Sequence, residues 1–292
     1  MNALALKITR NACIPLRLRK KLGKLMFRND SEATFRAKIF DLSYDGALGN
    51  HMDNKIYVYG LHEPATIRLS RTILQHQKQQ GKSPVYMDIG TNCGLHLLCC
   101  APMADKAFGF EPWEIVRKRA ENNIQINGLK NVKIFDCAVS DQNTVMDFAQ
   151  PHSNNFGVGS LAIDQLAAEY GEDKNSFTTI QTKVVSGDTI AQEHGIIPTL
   201  IKIDVEGFEK QVLRGLKQTI KTHSPAIIFE YNAISKKDFD TMDTIGEVFG
   251  NHYSVWGILR SREKPILRPF RPGKRYENVL VWPERTLPDF LG

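Results

Sequence analysis

Five carboxylates in this chain stand where a short apolar run ends: Asp88, Glu111, Asp204, Glu206 and Glu230. The first belongs to Val85-Tyr-Met-Asp-Ile89, a run with β-branched and aromatic members that follows the breaker Gly81-Lys-Ser-Pro84. That pattern predicts a buried strand. Gly90 and Gly94 bracket a turn holding Thr91 and Asn92, and Leu95-His-Leu-Leu-Cys-Cys opens a helix. Strand, glycine turn and helix form the entry to a nucleotide-binding α/β unit. The spacing is Asp-x-Gly-x-x-x-Gly, so neither the dinucleotide fingerprint nor the P-loop is present. Glycines let backbone approach a ligand. Asp88 favours a cation or amine there and repels a pyrophosphate. S-adenosylmethionine, with an ammonium and a sulfonium in its methionine half, suits such a turn. Many turns of this kind are only tight connections.

Lys106-Ala-Phe-Gly-Phe110 reads as the second strand and ends in Glu111-Pro112, 17 residues after Gly94. An acidic residue at that place grips ribose hydroxyls in such folds. Glu111 could instead cap the next helix, and Pro112 suits a helix start. The two roles are compatible, and ribose binding is the favoured one. Leu200-Ile-Lys-Ile-Asp204 is the fourth strand, with Glu206 in the turn after it, and Ala226-Ile-Ile-Phe-Glu230 is the fifth. Ligands of α/β sheets sit at strand C-terminal ends. Three carboxylates at one mouth repel one another, which raises the pKa of one of them. A divalent cation could also relieve that repulsion, but no metal is expected. A carboxylate can take the proton of an attacking hydroxyl. Asp204 is the first choice for that base, then Glu206, then Glu230. Against this, Glu206 and Glu209 could simply favour a helix N-terminus, and Asp204 could hold cofactor. His62, His96 and His152 are candidates by residue type alone.

The elements that would position these groups alternate. Helices are expected over Trp113–Ile126, with Ile115, Val116, Ala120 and Ile124 as its apolar members, and over Phe239–Phe249; Asp188 opens another, and Ala162–Tyr170 suits a short one. Val132–Phe135 is a third core strand, Thr144–Phe148 and Thr178–Val185 are further extended runs, and Tyr253–Leu259 and Glu277–Val281 close the chain. Strands alternating with helices predict an α/β fold: a Rossmann-like, doubly wound, mostly parallel sheet with an antiparallel C-terminal β-hairpin. Three prolines in Arg260–Arg275 argue against regular structure there. The expected organisation is a basic amphipathic arm over 1–30, an N-terminal extension over 31–80 and the Rossmann-like domain over 81–292. Within the extension, Phe35–Leu42 and Lys55–Tyr59 read as strands separated by Asp45-Gly46, and Glu63-Pro64 opens a helix. The extension could cover the mouth of the cofactor site, and Glu63 is placed among the cofactor-contacting residues.

Composition narrows the classes. No run of 18 apolar residues occurs, so no membrane-spanning helix is expected. Five cysteines, two of them adjacent and none in C-x-x-C, argue for a reducing, cytoplasmic setting and against a zinc site or disulfide framework. The net charge of +6 is the sum of +7 in residues 1–30, +6 in residues 260–275 and −7 in the rest. The arm could lie on an anionic membrane surface or dock on the domain with a solvated basic face. The patches would also suit an anionic acceptor. Nucleic acid is the weaker partner, because the body carrying the carboxylates is acidic and the [DN]-P-P-[FYW] motif is missing. Oligomeric state is not legible.

Over roughly residues 63–283 the chain resembles the FkbM-type S-adenosylmethionine-dependent methyltransferases. The matching stretches are Met87-Asp-Ile-Gly-Thr-Asn-Cys-Gly94, Gly109-Phe-Glu-Pro112, Glu121-Asn-Asn-Ile-Gln-Ile-Asn-Gly-Leu-Lys-Asn131, Ile201-Lys-Ile-Asp-Val-Glu-Gly-Phe-Glu209 with Val212-Leu-Arg-Gly215, and Ile227-Ile-Phe-Glu230. Residues 1–60 and 260–275 depart from it. The resemblance implies methyl transfer to a hydroxyl of a sugar, glycan or polyketide-like acceptor. It implies that Asp88, Gly90, Asn92 and Gly94 hold the methionine half, that Glu111 takes the ribose, and that Cys137 and Ala138 flank the adenine. The acidic segment of the fourth strand falls on Asp204 and Glu206. The alternatives are a nucleic-acid methyltransferase and an inactive cofactor-binding protein.

Overall fold

The computed structural model describes residues 34–48, 50–151, 159–164, 167, 177–239, 241–250, 252–262 and 264–291, besides three isolated positions before residue 34. The basic arm, His152 and most of the two stretches 154–160 and 162–170 lie outside them. Its centre is an eight-stranded sheet built from β3 (Val85–Ile89), β4 (Lys106–Phe110), β5 (Val132–Phe135), β9 (Leu200–Ile203), β10 (Ala226–Phe229), β11 (Ser254–Leu259), β12 (Ile266–Pro269) and β13 (Asn278–Trp282), in the order β12-β11-β13-β10-β9-β3-β4-β5. The five strands from β10 to β5 are parallel, and β13, β11 and β12 add an antiparallel edge.

The two-residue period of the strands decides what goes where. Tyr86, Leu200, Ile228 and Leu280 belong to one core cluster, while Met87, Ile201, Ile227 and Val279 belong to the cluster on the other face. The second face is covered by α5 (Gly187–Glu193), α6 (Glu209–Gly215), α7 (Lys217–His223) and α9 (Asp243–Phe249). The first is covered by α1 (His51–Tyr59), α2 (Pro64–Gln79) and α3 (Leu95–Cys100), with α4 (Glu114–Ile126) beside β4 and β5. A buried aliphatic side chain contributes roughly 1.5–3 kcal/mol by leaving water, so the apolar strands hold the sheet. β6 (Ala138–Ser140), β7 (Thr144–Pro151) and β8 (Phe177–Ser186) form a separate three-stranded sheet.

The extension differs from its sequence reading in two places. β1 (Thr34–Ile39) and β2 (Leu42–Ala47) pair as a hairpin whose turn falls at Phe40-Asp41, not at Asp45-Gly46. Gly46 lies within β2 because the Phe35 ring covers it: a Cβ there would come within 2.5 Å of that ring. Lys55–Tyr59 is helix, not strand. The Asn50 side chain accepts from Met52 N at the start of α1, and Gly60 ends it at φ 85°; both are ordinary helix boundary residues. Asp53 pins the extension to the body. Its buried carboxylate accepts from Tyr44 Oη at 2.6 Å and Ala47 N at 2.9 Å and pairs with Arg119 of α4.

Three further expectations shift. The helix expected over Phe239–Phe249 starts only at Asp243; Phe239 lies between α8 (Ser235–Asp238) and α9, its ring fully buried against Phe229. Ile115 points to solvent at 54% exposure while Val116 is buried. The proline-bearing basic segment contains β12, where Pro269 pairs opposite Trp256. An edge strand tolerates proline because its outer N–H groups have no neighbour to serve.

Candidate active site

The strand register assembles the charges. Asp88 of β3 stands beside Lys202 of β9, and Lys202 stands beside Ile228 of β10. Asp204 and Glu230 follow two residues later, so the period of two carries them toward that same face. Lys202 is only 2% exposed, and its Nζ lies 2.7 Å from Asp204 Oδ2. Asp204, Asp88 and Glu63 together hold the ammonium charged despite its burial. A lysine inside a four-residue buried strand must be paired, and that signal in Leu200-Ile-Lys-Ile was open to sequence reading but not used.

The turn after β3 is fixed by backbone contacts. Gly90 N and Thr91 N both donate to Phe110 O at 3.1 Å, and Asp204 N donates to Ile89 O at 2.9 Å. Gly90 has φ 80°, and a Cβ on it would lie 1.7 Å from the Asp204 carbonyl oxygen. The cofactor turn and the acidic strand end are therefore in direct contact. Thr91 Oγ1 donates to Asp88 O and accepts from Phe110 N. The Asp88 carboxylate is 1% exposed; one oxygen accepts from Tyr86 Oη at 3.3 Å, and Oδ2 has no hydrogen-bond partner. Burial raises its pKa, with Lys202 pulling the other way.

Glu111 sits at the end of β4 as predicted, and it also caps: Oε2 accepts from Asn92 N at 2.8 Å and Oε1 from Trp113 N at 2.9 Å. Burial nevertheless lifts it to about 7. Glu63 begins α2, but its carboxylate faces inward, within 3.0 Å of His96 Nε2 and accepting from Asn278 Nδ2 at 3.2 Å. Burial works to raise its pKa, but the His96 hydrogen bond, with the nearby Lys202 ammonium, holds it well below the usual carboxylate range.

Asp204, Glu206 and Glu230 do converge, with carboxylate oxygens within 4.8 Å of one another; this is the one group among the described residues able to hold a metal ion. Asn232 joins two of them. Its Oδ1 accepts from Ile234 N and Ser235 N, so its amide nitrogen must face Glu230 Oε2 at 2.8 Å and Glu206 Oε2 at 3.4 Å. Burial first, then the Glu206 and Asp204 charges, keep Glu230 protonated well above its ordinary range. Glu206 has φ 52°. Glu209 supports that turn from outside the cluster, accepting from Val205 N and Gly207 N, and burial lifts it to about 7.

These groups line one cavity of about 1160 Å³, larger than the ~300–1,000 Å³ typical of a single small ligand. Glu63, Asp88, Gly90, Thr91, Asn92, Glu111, Pro112, Ala138, Asp204, Glu206 and Glu230 line it; Gly94 and Cys137 do not. Gly94 instead lets α4 pack closely, since a Cβ there would lie 2.8 Å from that of Ala120. Cys137 is packed in the second core cluster, where burial pushes its thiol up to about 11. Among the described residues, four of the five non-glycine residues with positive φ (Phe40, Glu63, Asn92, Glu206) line the cavity. Such strain persists only where surrounding structure over-determines it, and it gathers at functional sites. His62, Lys55 and Asn232 line it as well, and spacing in the chain gave no sign that they would.

A family model described as the methyltransferase FkbM domain matches residues 88–254, which contain the glycine turn, Glu111 and the whole acidic cluster. The chain belongs to the FkbM methyltransferase family. Among curated relatives, the hexuronic acid methyltransferase AglP of Haloferax volcanii is 25% identical over 53% of this chain and 59% of its own length. This chain thus spans less than two thirds of that relative. The 2-O-methyltransferase NoeI of Sinorhizobium fredii is 28% identical over 60% of this chain and 74% of its own. A solved methyltransferase FkbM from Methylobacillus flagellatus aligns with a TM-score of 0.47 at 15% identity, covering 96% of this chain and 58% of that one.

Proposed function

We propose that this protein is an S-adenosylmethionine-dependent O-methyltransferase whose acceptor is a hydroxyl of a sugar or glycan. The observation that carries it is the buried Asp88 Oδ2, which lines the cavity beside the Gly90 turn and has no hydrogen-bond donor. An ammonium would satisfy it. Asp88 and the turn through Asn92 would hold the methionine half, Glu111 the ribose, and Pro112 and Ala138 the base. When bound, that cofactor supplies a methyl group already activated on sulfur, so the protein's task is alignment, exclusion of water and removal of one proton.

Asp204 is the base in this reading. Lys202 anchors one carboxylate oxygen, and the side chain remains 26% exposed toward the cavity. Glu206 is the next candidate. Glu230, the third choice from sequence, is pushed toward its protonated form by burial and by the Glu206 and Asp204 charges, which makes it the weakest of the three as a base. The Asn232 amide, donating to Glu230 and Glu206, already eases the repulsion that a divalent cation would otherwise relieve. Turnover is therefore expected to survive dialysis against EDTA; loss restored by Mg²⁺ would assign the cluster to metal instead.

One curated relative is named for a hexuronic acid and another for 2-O-methyl transfer; both support a glycan hydroxyl, and an acidic one fits the charge placement. Contact of the basic arm with a membrane surface is part of the same proposal and rests on sequence alone. No helix of the described residues is long and apolar enough to cross a membrane.

Titration calorimetry with S-adenosylhomocysteine tests the cofactor assignment. One site per chain is expected, lost in Asp88→Ala and in Glu111→Ala. The wild-type affinity should also depend on pH. The ribose hydroxyls donate to ionised Glu111, and a carboxyl lifted to about 7 is protonated below that. Binding should thus weaken as pH falls below 7, by up to about tenfold per unit, and level off above it. A flat profile between pH 6 and 8 would remove Glu111 from the ribose.

A further inference from the structure

The acidic end of the cavity faces a cationic rim. Lys55 from α1, Arg68 from α2, and Arg260 and Arg262 from the segment after β11 all line the same cavity. The ion pairs among the described residues include none of these four. Two are seated on aromatic rings, Arg262 over Tyr59 at 5.1 Å and Arg68 over Phe40 at 5.6 Å. A ring face steadies a guanidinium without neutralising it.

Lys55 marks where the rim meets the acids. Its ammonium lies 3.4 Å from His62 Nε2. Burial pushes His62 down to about 4, so the ring is neutral and can accept from that ammonium. Burial lowers the Lys55 pKa; the Glu63 charge attracts the ammonium, and Arg260 repels it. Lys55 and Arg260 line the same cavity and neither is in an ion pair among the described residues, so an anion bound against this wall would stabilise both. That wall is next to Glu206 and Glu230, at the acceptor end, while the ribose-side Glu111 and Ala138 belong to the cofactor end.

We infer that Lys55 and Arg260, with Arg262 beside them, form a subsite for an acidic group of the acceptor, a carboxylate or phosphate carried on the sugar whose hydroxyl is methylated. This rests on the O-methyltransferase reading of the cavity. It also relocates the anion contact expected from the basic segment as a whole: Arg268, Arg271 and Lys274 do not line the cavity.

Calorimetry of the full chain saturated with S-adenosylhomocysteine tests the subsite. The probes are methyl glucuronide, glucose 1-phosphate and neutral methyl glucoside. An acidic probe should bind at least about tenfold more tightly than the glucoside, one charge contact being worth about that factor. The carboxylate and phosphate arms identify which anion the subsite takes. In Lys55→Gln/Arg260→Gln that preference should vanish while affinity for S-adenosylhomocysteine stays within about twofold. Equal binding of acidic and neutral probes, a preference that survives the double substitution, or no binding of any probe would each overturn the subsite. Failure of S-adenosylhomocysteine itself to bind would overturn the cofactor reading beneath it, a distinguishable result.

Discussion

Asp204→Asn should leave S-adenosylhomocysteine binding nearly intact and lower turnover by about 100-fold or more, the usual contribution of a positioned proton acceptor. The amide keeps the size and one oxygen of the carboxylate, so the Lys202 ammonium, 2.7 Å from Oδ2, still has an acceptor. What is lost is a group able to take a proton. The measurement is formation of S-adenosylhomocysteine at saturating methyl donor, beside calorimetric binding of the same variant. Loss of binding and turnover together would mean that Asp204 holds the cofactor. Turnover like the wild type would pass the base role to Glu206, whose oxygens share the cluster.

Gly90→Ala should weaken S-adenosylhomocysteine by about 100-fold or more and impair turnover as well. A Cβ there would lie 1.7 Å from the Asp204 carbonyl oxygen, so backbone must move, and misplacement by about 1 Å near reacting groups can cost that factor. The displaced segments are the cofactor turn and the strand end carrying the proposed base. Gly128→Ala is the matched control. Its φ of 62° imposes the same left-handed strain, about 1–2 kcal/mol, but nothing lies within 4 Å of the added Cβ. Similar losses in both variants would reduce the Gly90 effect to backbone strain alone.

Much of this was legible because it is local. The apolar runs ending in Asp88, Phe110, Asp204 and Glu230 specify strands by composition, and the glycine turn specifies the entry to α3. Residues of the Asp-x-Gly-x-x-x-Gly turn, the acid at Glu111 and the Val205–Glu209 segment fall inside the FkbM domain match. The failures were local choices that tertiary contacts decided. Lys55–Tyr59 has strand-like residues, but the Asn50 cap, Gly60 and the buried faces of Ile56 and Tyr57 make it helix. Asp45-Gly46 has turn chemistry, yet the Phe35 ring requires the glycine within a strand.

The chain's own sequence determined the parallel α/β order, the cofactor turn and which carboxylates end strands, because strand period and turn chemistry act over a few residues. Only the tertiary structure decided which charges meet. Setting Asp88 beside Lys202 is a matter of strand register across 114 positions, and hydrophobic pattern alone does not fix which strands are neighbours. The same holds for Asn232 between Glu206 and Glu230, and for Lys55 and Arg260 lining one cavity. Their types were visible from the start. Their electrostatics exist only once the sheet and the α1 helix bring them together.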